Sequence, residues 1–291
     1  DGTQDLVRKV FQEFDIPGEV VDKPWNSAKN GKFNFDIGRT QLFRLCDESR
    51  AKYLIMIDGD DSIVGKIKFP PLMDKDCYNV QFNETNSYQR PQIFKCGIGW
   101  MYDHLLHETP RLPGKQVMTL HQNDPLNMNK GPVHRRFKHA KQMQNDTKTL
   151  PPVTSELIND NGKNYWISGR TGARNKNLRK YEDDAETLGN SMMLLEIPND
   201  QHTVFHLAQS YFDSNQFLES KSFYTQAAYY NQNPQYTYFA LMRRAMSQEA
   251  LHENYLDVIE TYKKCSQHAP ERAEPVFAIM QTYIKHNMFK E

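Results

Sequence analysis

Apolar and polar residues alternate with two different periods in the first hundred residues of the chain. Apolar side chains recur at helical spacing over residues 6–14 and again over 38–50, with charged residues on the opposite face. Short runs with strand character follow these segments at 19–22 and 53–57. The order helix, strand, helix, strand predicts an α/β domain whose strands pair in parallel. Two further strands are predicted at 78–82 and 92–96.

The last third of the chain has helical spacing throughout and a pattern that returns. This pattern of small, aliphatic and aromatic residues is typical of closely packed antiparallel helices. It begins at Leu207, returns at Ala245 and begins a third time at Ile279. The second interval matches the period of about 34 residues of tetratricopeptide repeats, and the first is about four residues longer. We therefore predict an array of helical repeats, whose last unit exposes an apolar face unless something covers it.

The segment between these two parts is polar and basic, and Pro151-Pro152 interrupts any helix in it. Its two basic clusters, at 134–139 and 170–180, either contact phosphate or form a solvated surface. We therefore predict a first domain, a connecting region and a repeat array, with limits at 1–135, 136–199 and 200–291.

Charge and cysteine content narrow the classes of function. With 36 basic and 36 acidic residues the formal net charge is zero, which argues against a nucleic-acid partner. No apolar run is long enough to span a membrane and no apolar leader opens the sequence, so we expect a cytoplasmic protein. The four cysteines are widely separated, which favours buried, reduced thiols over a zinc site or disulfides.

Three carboxylates follow the apolar run at 53–57. Asp58, Asp60 and Asp61 surround a single glycine, which marks a turn. A buried strand that ends in acidic residues holds them at the carboxyl edge of a sheet, where open α/β sheets bind their ligands. An Asp-x-Asp pair there suits a divalent cation that takes few protein oxygens and shares the rest with a diphosphate and water. The alternative is an acidic turn that only closes the strand.

Several motifs follow one another in the order found in a known enzyme family. Asp1-Gly2-Thr3 precedes the first helix, Pro24-Trp25 and Gly38-Arg39-Thr40 follow it, and Asp58-Gly59-Asp60-Asp61 ends the strand. This order resembles family-2 glycosyltransferases with a GT-A fold. The resemblance implies a Rossmann-like α/β domain that transfers a sugar from a nucleotide-diphosphate donor, most commonly a UDP-sugar, with inversion.

Two later segments resemble one subgroup of that family. They are Trp100 with Leu106-His107-Glu108, and residues 169–211. Members of this subgroup carry C-terminal tetratricopeptide repeats, so the resemblance implies an all-α repeat region after the GT-A domain. The acceptor would be a protein, a peptide or a glycan, and the repeats would bind it or pair two subunits as a homodimer.

The resemblance also implies roles for the acidic turn and for the arginine before it. Asp58 and Asp60 would hold Mn²⁺ or Mg²⁺ at the donor phosphates, where a cation neutralises the charge of the leaving nucleoside diphosphate. Asp61 would contact a metal-bound water or the donor sugar, or else cap the turn. Arg39 would bind donor phosphate or ribose, or else lie on the surface.

Three residues after the acidic turn are further candidates. Glu108 is the candidate general base that takes the acceptor's proton, and His107 would bind the metal or a phosphate. The alternative for both is a surface pair at the end of a helix. Trp100 would form a wall against the donor sugar ring, or else be a core aromatic residue.

The family resemblance begins inside the loop that follows the family's first strand. A sheet without that strand exposes unpaired backbone groups, so we expect an additional segment upstream of Asp1. Two other functions remain open at this stage. One is a repeat-based scaffold that retains an inactive transferase-like domain, and the other is a nucleotidyltransferase that makes the sugar nucleotide.

Overall fold

The computed structural model describes residues 2–23, 35–82, 88–115, 151–158, 164–169, 177–194 and 199–288. Within them, the part up to residue 169 contains two helices, α1 (Thr3–Glu13) and α2 (Phe35–Glu48). It also contains the strands β1 (Tyr53–Ile55), β2 (Ser62–Val64), β3 (Cys77–Phe82), β4 (Tyr88–Lys95), β5 (Met101–Asp103), β6 (Thr109–Arg111), β7 (Ser155–Ile158) and β8 (Tyr165–Ile167). The part from residue 177 contains the helices α3 (Lys180–Met193), α4 (Gln201–Asp213), α5 (Phe217–Tyr230), α6 (Pro234–Ala250), α7 (Tyr255–His268) and α8 (Glu274–Lys285).

Six of the strands form one mixed sheet. Its order is β1–β4–β3–β8–β2, and β7 also pairs with β3. The pairs β1–β4, β3–β4 and β2–β8 are antiparallel, whereas β7 and β8 run parallel to β3. β5 and β6 form a separate antiparallel ribbon. Because β7 and β8 belong to the sheet, the predicted connecting region contributes strands to the first domain.

Most of the elements predicted near the N-terminus are confirmed, but their pairing is not. α1, α2, β3 and β4 lie where the apolar patterns predicted helices and strands, and β1 is shorter than predicted. The predicted strand at 19–22 is wrong, since these residues are not in a strand and Val21 is 46% exposed. The predicted parallel pairing of β1 is also wrong, because the described sheet pairs it antiparallel to β4. The segment 19–22 has only two valines between charged residues, which is too little apolar surface for it to displace β4 as the partner of β1.

The mixed sheet is packed on both faces because successive side chains of a strand point to opposite sides. One cluster lies between the sheet, α2 and the β5–β6 ribbon and consists of Phe43, Met56, Cys77, Phe94, Trp100, Tyr102 and Leu112. The cluster on the other face consists of Tyr78, Val80, Phe82, Ile93 and Trp166. Burying a side chain such as Phe43, which is 2% exposed, stabilises the fold by about 1.5–3 kcal/mol. This packing holds α2 in place over the sheet.

A disulfide corrects the prediction of four reduced cysteines. Cys46 of α2 is bonded to Cys96, which follows β4, with Cα atoms 5.9 Å apart. The two residues are 50 positions apart in sequence, and only the packing of α2 on the sheet brings them together. Cys77 and Cys265 keep buried thiols, as predicted. Burial raises the pKa of each thiol to about 12, so neither is a nucleophile near neutral pH.

The six C-terminal helices stack in sequence order, and each packs against the next. Side chains of the predicted repeat pattern are buried between them, among them Leu207, Ala208, Tyr224, Ala227, Ala245, Tyr262 and Cys265. Gln201 connects three helices, since its Nε2 donates to Ala227 O at 2.8 Å and to Thr237 Oγ1 at 2.9 Å. The helical region predicted from residue 200 is therefore confirmed, and α3 extends it towards the sheet.

The helices α1 and α8 both present apolar residues to solvent. On α1, Leu6 is 62% exposed. On α8 the exposed residues are Val276, Phe277, Met280 and Ile284. Every helix that the structure describes is too short or too polar to cross a membrane.

Candidate active site

Three residues predicted from separate parts of the sequence are in contact, because the guanidinium group of Arg39 pairs with the carboxylates of Asp58 and Glu108. Arg39 Nη2 donates to both carboxylate oxygens of Asp58, at 3.1 Å each. Arg39 Nε forms an ion pair with Glu108 Oε1 at 3.1 Å. The side chains of Arg39 and Glu108 are only 13% and 15% exposed, whereas that of Asp58 is 45% exposed. The arrangement is partly withdrawn from water and open on the side of Asp58.

Each member of this group is positioned by a different element. Arg39 lies in the first half of α2, Asp58 follows β1 and Glu108 directly precedes β6. The ribbon that carries Glu108 is fixed to α2, because Tyr102 N donates to Thr40 Oγ1 at 2.9 Å. The Tyr102 ring also lies beneath the Arg39 guanidinium, 5.6 Å from its centroid. The group therefore depends on the packing of α2 against both the sheet and the ribbon.

Carboxylates outnumber the cation at this site. Burial works to lower the pKa of Arg39, but Glu108, Tyr102 and Asp58 together raise it. Burial raises the pKa of Asp36, although a hydrogen bond from the Ile37 backbone works to lower it. The negative charge of Glu108 adds to the rise. Negative charge is therefore concentrated near Arg39, which favours the binding of a further cation.

The acidic turn after β1 is held by Asp61. Asp61 Oδ2 accepts from Asp58 N at 3.3 Å, and its Oδ1 accepts from Gly169 N at 3.3 Å. These bonds match the capping role that was one of its two predicted alternatives. Gly169, which follows β8, approaches the turn so closely that a Cβ there would overlap the backbone oxygen and the carboxylate of Asp60. Gly169 begins the segment 169–211 of the family resemblance, and no contact with the turn was predicted for it.

The carboxylates of Asp58 and Asp60 are the groups that could hold a metal ion. Within the described ranges, no three His, Cys, Asp or Glu side chains converge into a metal site. Two carboxylates still suit Mg²⁺ or Mn²⁺ in their chemistry, because such ions bind through one or two carboxylates when phosphates and water complete the shell. Both oxygens of Asp58 accept from Arg39, so an ion at Asp58 would have to share it with the guanidinium.

Trp100 is a core residue and has no surface to offer a sugar ring. It is 3% exposed, with its ring centroid 6.2 Å from that of Phe43 and 5.1 Å from that of Phe94. The structure thus corrects the expectation of a donor-binding wall and agrees with the alternative role. Phe43 and Phe94 are on α2 and β4, so Trp100 stabilises the packing that positions Arg39.

His107, predicted to bind the metal or a phosphate, lies in a cluster of four histidines. We call His104, His107, His202 and His206 the histidine cluster. The rings of His104 and His202 are stacked with centroids 3.7 Å apart, and those of His107 and His206 are stacked at 4.1 Å. The other three histidines were not predicted to be site residues. The spacing of His202 and His206, one turn apart on one face of α4, was the only available signal.

The buried members of the cluster are neutral. Burial, then His104 and His107, lower the pKa of His202 to about 3, with a small opposing contribution from the His107 backbone. Burial, then His107 and His202, lower the pKa of His206 well below its usual range. A neutral imidazole packs as an aromatic ring, which accounts for the burial of His202 and His206 in this interface.

The remaining sequence predictions lie outside the described residues. They concern Asp1, Pro24-Trp25, the basic cluster at 134–139 and residues 170–176 of the second basic cluster. No protein-family model matches the chain, and no curated protein sequence matches it. The interpretation of the site therefore depends on its geometry and on the order of motifs along the chain.

Proposed function

We propose that this protein is a metal-dependent glycosyltransferase that moves a sugar from a nucleotide-diphosphate donor to an acceptor with inversion. The supporting observation is the ion-paired group of Arg39, Asp58 and Glu108, formed by three residues that the motif order had nominated separately. The mixed sheet and the helical array would then correspond to a GT-A domain and a tetratricopeptide-repeat region. Sheet and helices in this order are compatible with that assignment.

In this proposal the acidic turn binds the donor. Asp58 and Asp60 hold Mn²⁺ or Mg²⁺, and the bound ion supplies charge neutralisation to the departing nucleoside diphosphate. Asp61 keeps the turn closed through its bonds to Asp58 N and Gly169 N. Arg39 binds a donor phosphate, because the planar guanidinium donates hydrogen bonds in a geometry that suits phosphate oxygens.

Glu108 acts as the general base. As the acceptor oxygen attacks the anomeric carbon, Glu108 takes the proton from that oxygen, and the bond from the sugar to the diphosphate breaks. Its ion pair with Arg39 supports this role, because it holds the Glu108 carboxylate in one position beside the donor site. The same arginine thus connects the donor site with the base.

Calorimetry of the whole chain with UDP, GDP and dTDP, with and without Mn²⁺, tests the donor site. We expect metal-dependent binding of one nucleotide, most strongly UDP. The double variant D58A/D60A should lose this binding. The control D74A should keep it, because Asp74 is an exposed carboxylate paired with Lys75 elsewhere on the surface. Equal binding by D58A/D60A and the wild type would contradict the proposal.

The second candidate is a repeat-based scaffold whose transferase-like domain is inactive. It is favoured by the apolar residues that α8 exposes, which include Phe277 and Ile284. It is also favoured by the engagement of both Asp58 oxygens with Arg39. This alternative predicts no binding of any nucleotide with or without Mn²⁺, so the same titration separates the two candidates.

A further inference from the structure

The segment between β5 and β6, residues 104–108, connects the candidate base with the helical array. Glu108 is its last residue and reaches Arg39 on α2. His104 and His107 both have a left-handed backbone, with φ of 76° and 57°. Residues other than glycine rarely adopt this conformation, and it persists only where surrounding contacts hold it.

Those surrounding contacts come from the array. The rings of His104 and His107 lie face to face on His202 and His206 of α4, with interplanar angles of 16° and 12°. Between them Leu106 is 5% exposed. It packs in a cluster with Ala185 and Leu188 of α3 and Leu207 of α4. Leu105 packs against the same cluster, so all four residues that precede Glu108 take part in the contact with the first two helices of the array.

We propose that α4 positions Glu108, with His202 and His206 acting as positioning residues that hold segment 104–108 in its left-handed conformation. The catalytic part of this inference rests on the proposed transferase function. His107 and Glu108 are adjacent in sequence, so a shift of the His107 ring on His206 moves the Glu108 backbone directly. Displacement of a catalytic group by about 1 Å can lower a rate by about 10²-fold.

The paired imidazole rings meet face to face, which distinguishes positioning from metal binding. Stacked imidazoles with interplanar angles near 12° and 16° do not direct their nitrogens at a common point. Among the residues that the structure describes, no three or more His, Cys, Asp or Glu side chains form a group that could hold a metal ion. A phenylalanine should therefore replace His206 in this role, whereas an alanine should not.

The test compares H206A and H206F in the whole chain, with H286A as the matched control. His286 is also stacked, on Tyr255 with centroids 4.5 Å apart, but it lies at the opposite end of the array. We expect H206A to lower kcat for sugar transfer by about tenfold to a hundredfold. The KM for the donor and the metal-dependent affinity for UDP should stay the same. H206F and H286A should remain within about threefold of the wild type.

Hydrogen exchange of the amides in residues 101–111 gives a readout that does not depend on turnover. These amides should exchange faster in H206A than in the wild type, and at wild-type rates in H206F and H286A. If H206A does not fold, H104G replaces it, because glycine accepts the φ of 76° while the ring that stacks on His202 is removed. The H104G variant should show the same two changes.

Three results would overturn the inference. One is unchanged exchange in H206A or H104G, which would show that α4 does not hold the segment. Another is faster exchange with unchanged kcat, which would show that the held conformation does not position the base. The third is a loss of kcat in H206F equal to that in H206A. If the wild-type chain binds no nucleotide, the transferase proposal fails, and the base-positioning role fails with it. In that case, faster exchange in H206A still identifies α4 as the support of segment 104–108.

Discussion

The mixed sheet and the helical array differ in how far along the chain their contacts reach. In the array, each helix from α4 to α8 packs on the one before it, and the turns between them are short. In the sheet, β1 pairs with β4 and β2 with β8, and Cys46 is bonded to a cysteine 50 residues away. Long-range pairs have to close long loops before they stabilise the fold, whereas neighbouring helices do not.

This difference explains where the candidate chemistry lies. A stack of neighbouring helices is stabilised by a sum of local interfaces, so each interface can form by itself. The group of Arg39, Asp58 and Glu108 exists only when α2, β1 and the ribbon have all assembled. Residues 104–108 are the place where the two kinds of structure meet. The following four predictions test this contrast.

The largest effect should follow from removing the base in the sheet domain. We expect E108Q to lower the rate of sugar transfer by about 10²- to 10⁴-fold, because the amide cannot take the acceptor's proton. Steady-state kinetics with a UDP-sugar donor measures it. The control E156Q changes an exposed glutamate on β7 and should keep full activity. Full activity in E108Q would place the base elsewhere.

The next effect should separate the stability of the array from that of the sheet. Leu207 is 1% exposed, and L207A should lower the free energy of unfolding of the array by about 2–5 kcal/mol. The control L256A removes a side chain that is 54% exposed and should cost less than about 0.5 kcal/mol.

Urea unfolding followed by two probes measures the difference for L207A. Circular dichroism reports mainly on the helices, while the three tryptophans all precede residue 200. We expect the circular dichroism midpoint to fall more than the fluorescence midpoint. Equal shifts in both would show that the array and the sheet unfold as one cooperative unit.

The disulfide should stabilise the sheet and leave the array unchanged. The double variant C46A/C96A should lower the fluorescence-detected stability by about 2–4 kcal/mol, because the bond restricts the unfolded chain. Adding a thiol reductant to the wild type should have the same effect, and adding it to the double variant should have none. A wild-type protein that is indifferent to the reductant would contradict the bonded state of Cys46.

The smallest effect per step should be a dependence of stability on pH at the histidine cluster. The pKa of His202 is about 3 in the folded protein, below its ordinary value of 6.5, so protons bind preferentially to the unfolded chain. The contribution is complete above pH 6.5 and is lost as the pH falls towards 3. Each pH unit in this window should cost on the order of 1 kcal/mol for His202, with a loss of the same sign from His206.

Chemical unfolding at a series of pH values between 7 and about 4 measures this dependence. The titratable groups that face His202 and His206 are His104, His107 and Tyr236. Burial and then Asp200 raise the pKa of Tyr236 to about 12. Tyr236 therefore stays neutral throughout. The variant H202F/H206F keeps stacked rings but cannot take up protons, so its profile should be flatter. Identical slopes in the variant and the wild type would exclude the cluster as the cause.

The sequence alone determined the elements with a strong local period. The helical spacing predicted α1, α2 and the region from α4 onward, and the strand patterns predicted β3 and β4. It also nominated Arg39, Asp58 and Glu108 one by one, on the basis of motif order. It did not show that they touch, because nothing in a local pattern relates residue 39 to residue 108.

Tertiary structure decided every question of partnership. It paired β1 with β4, bonded Cys46 to Cys96, buried Trp100 in the core and stacked His107 on α4. Local periodicity records which face of an element is apolar, and this is enough to form a helix or a strand. Which distant segment covers that face depends on competition among all the apolar surfaces of the folded chain, and that competition is resolved only when the whole domain packs.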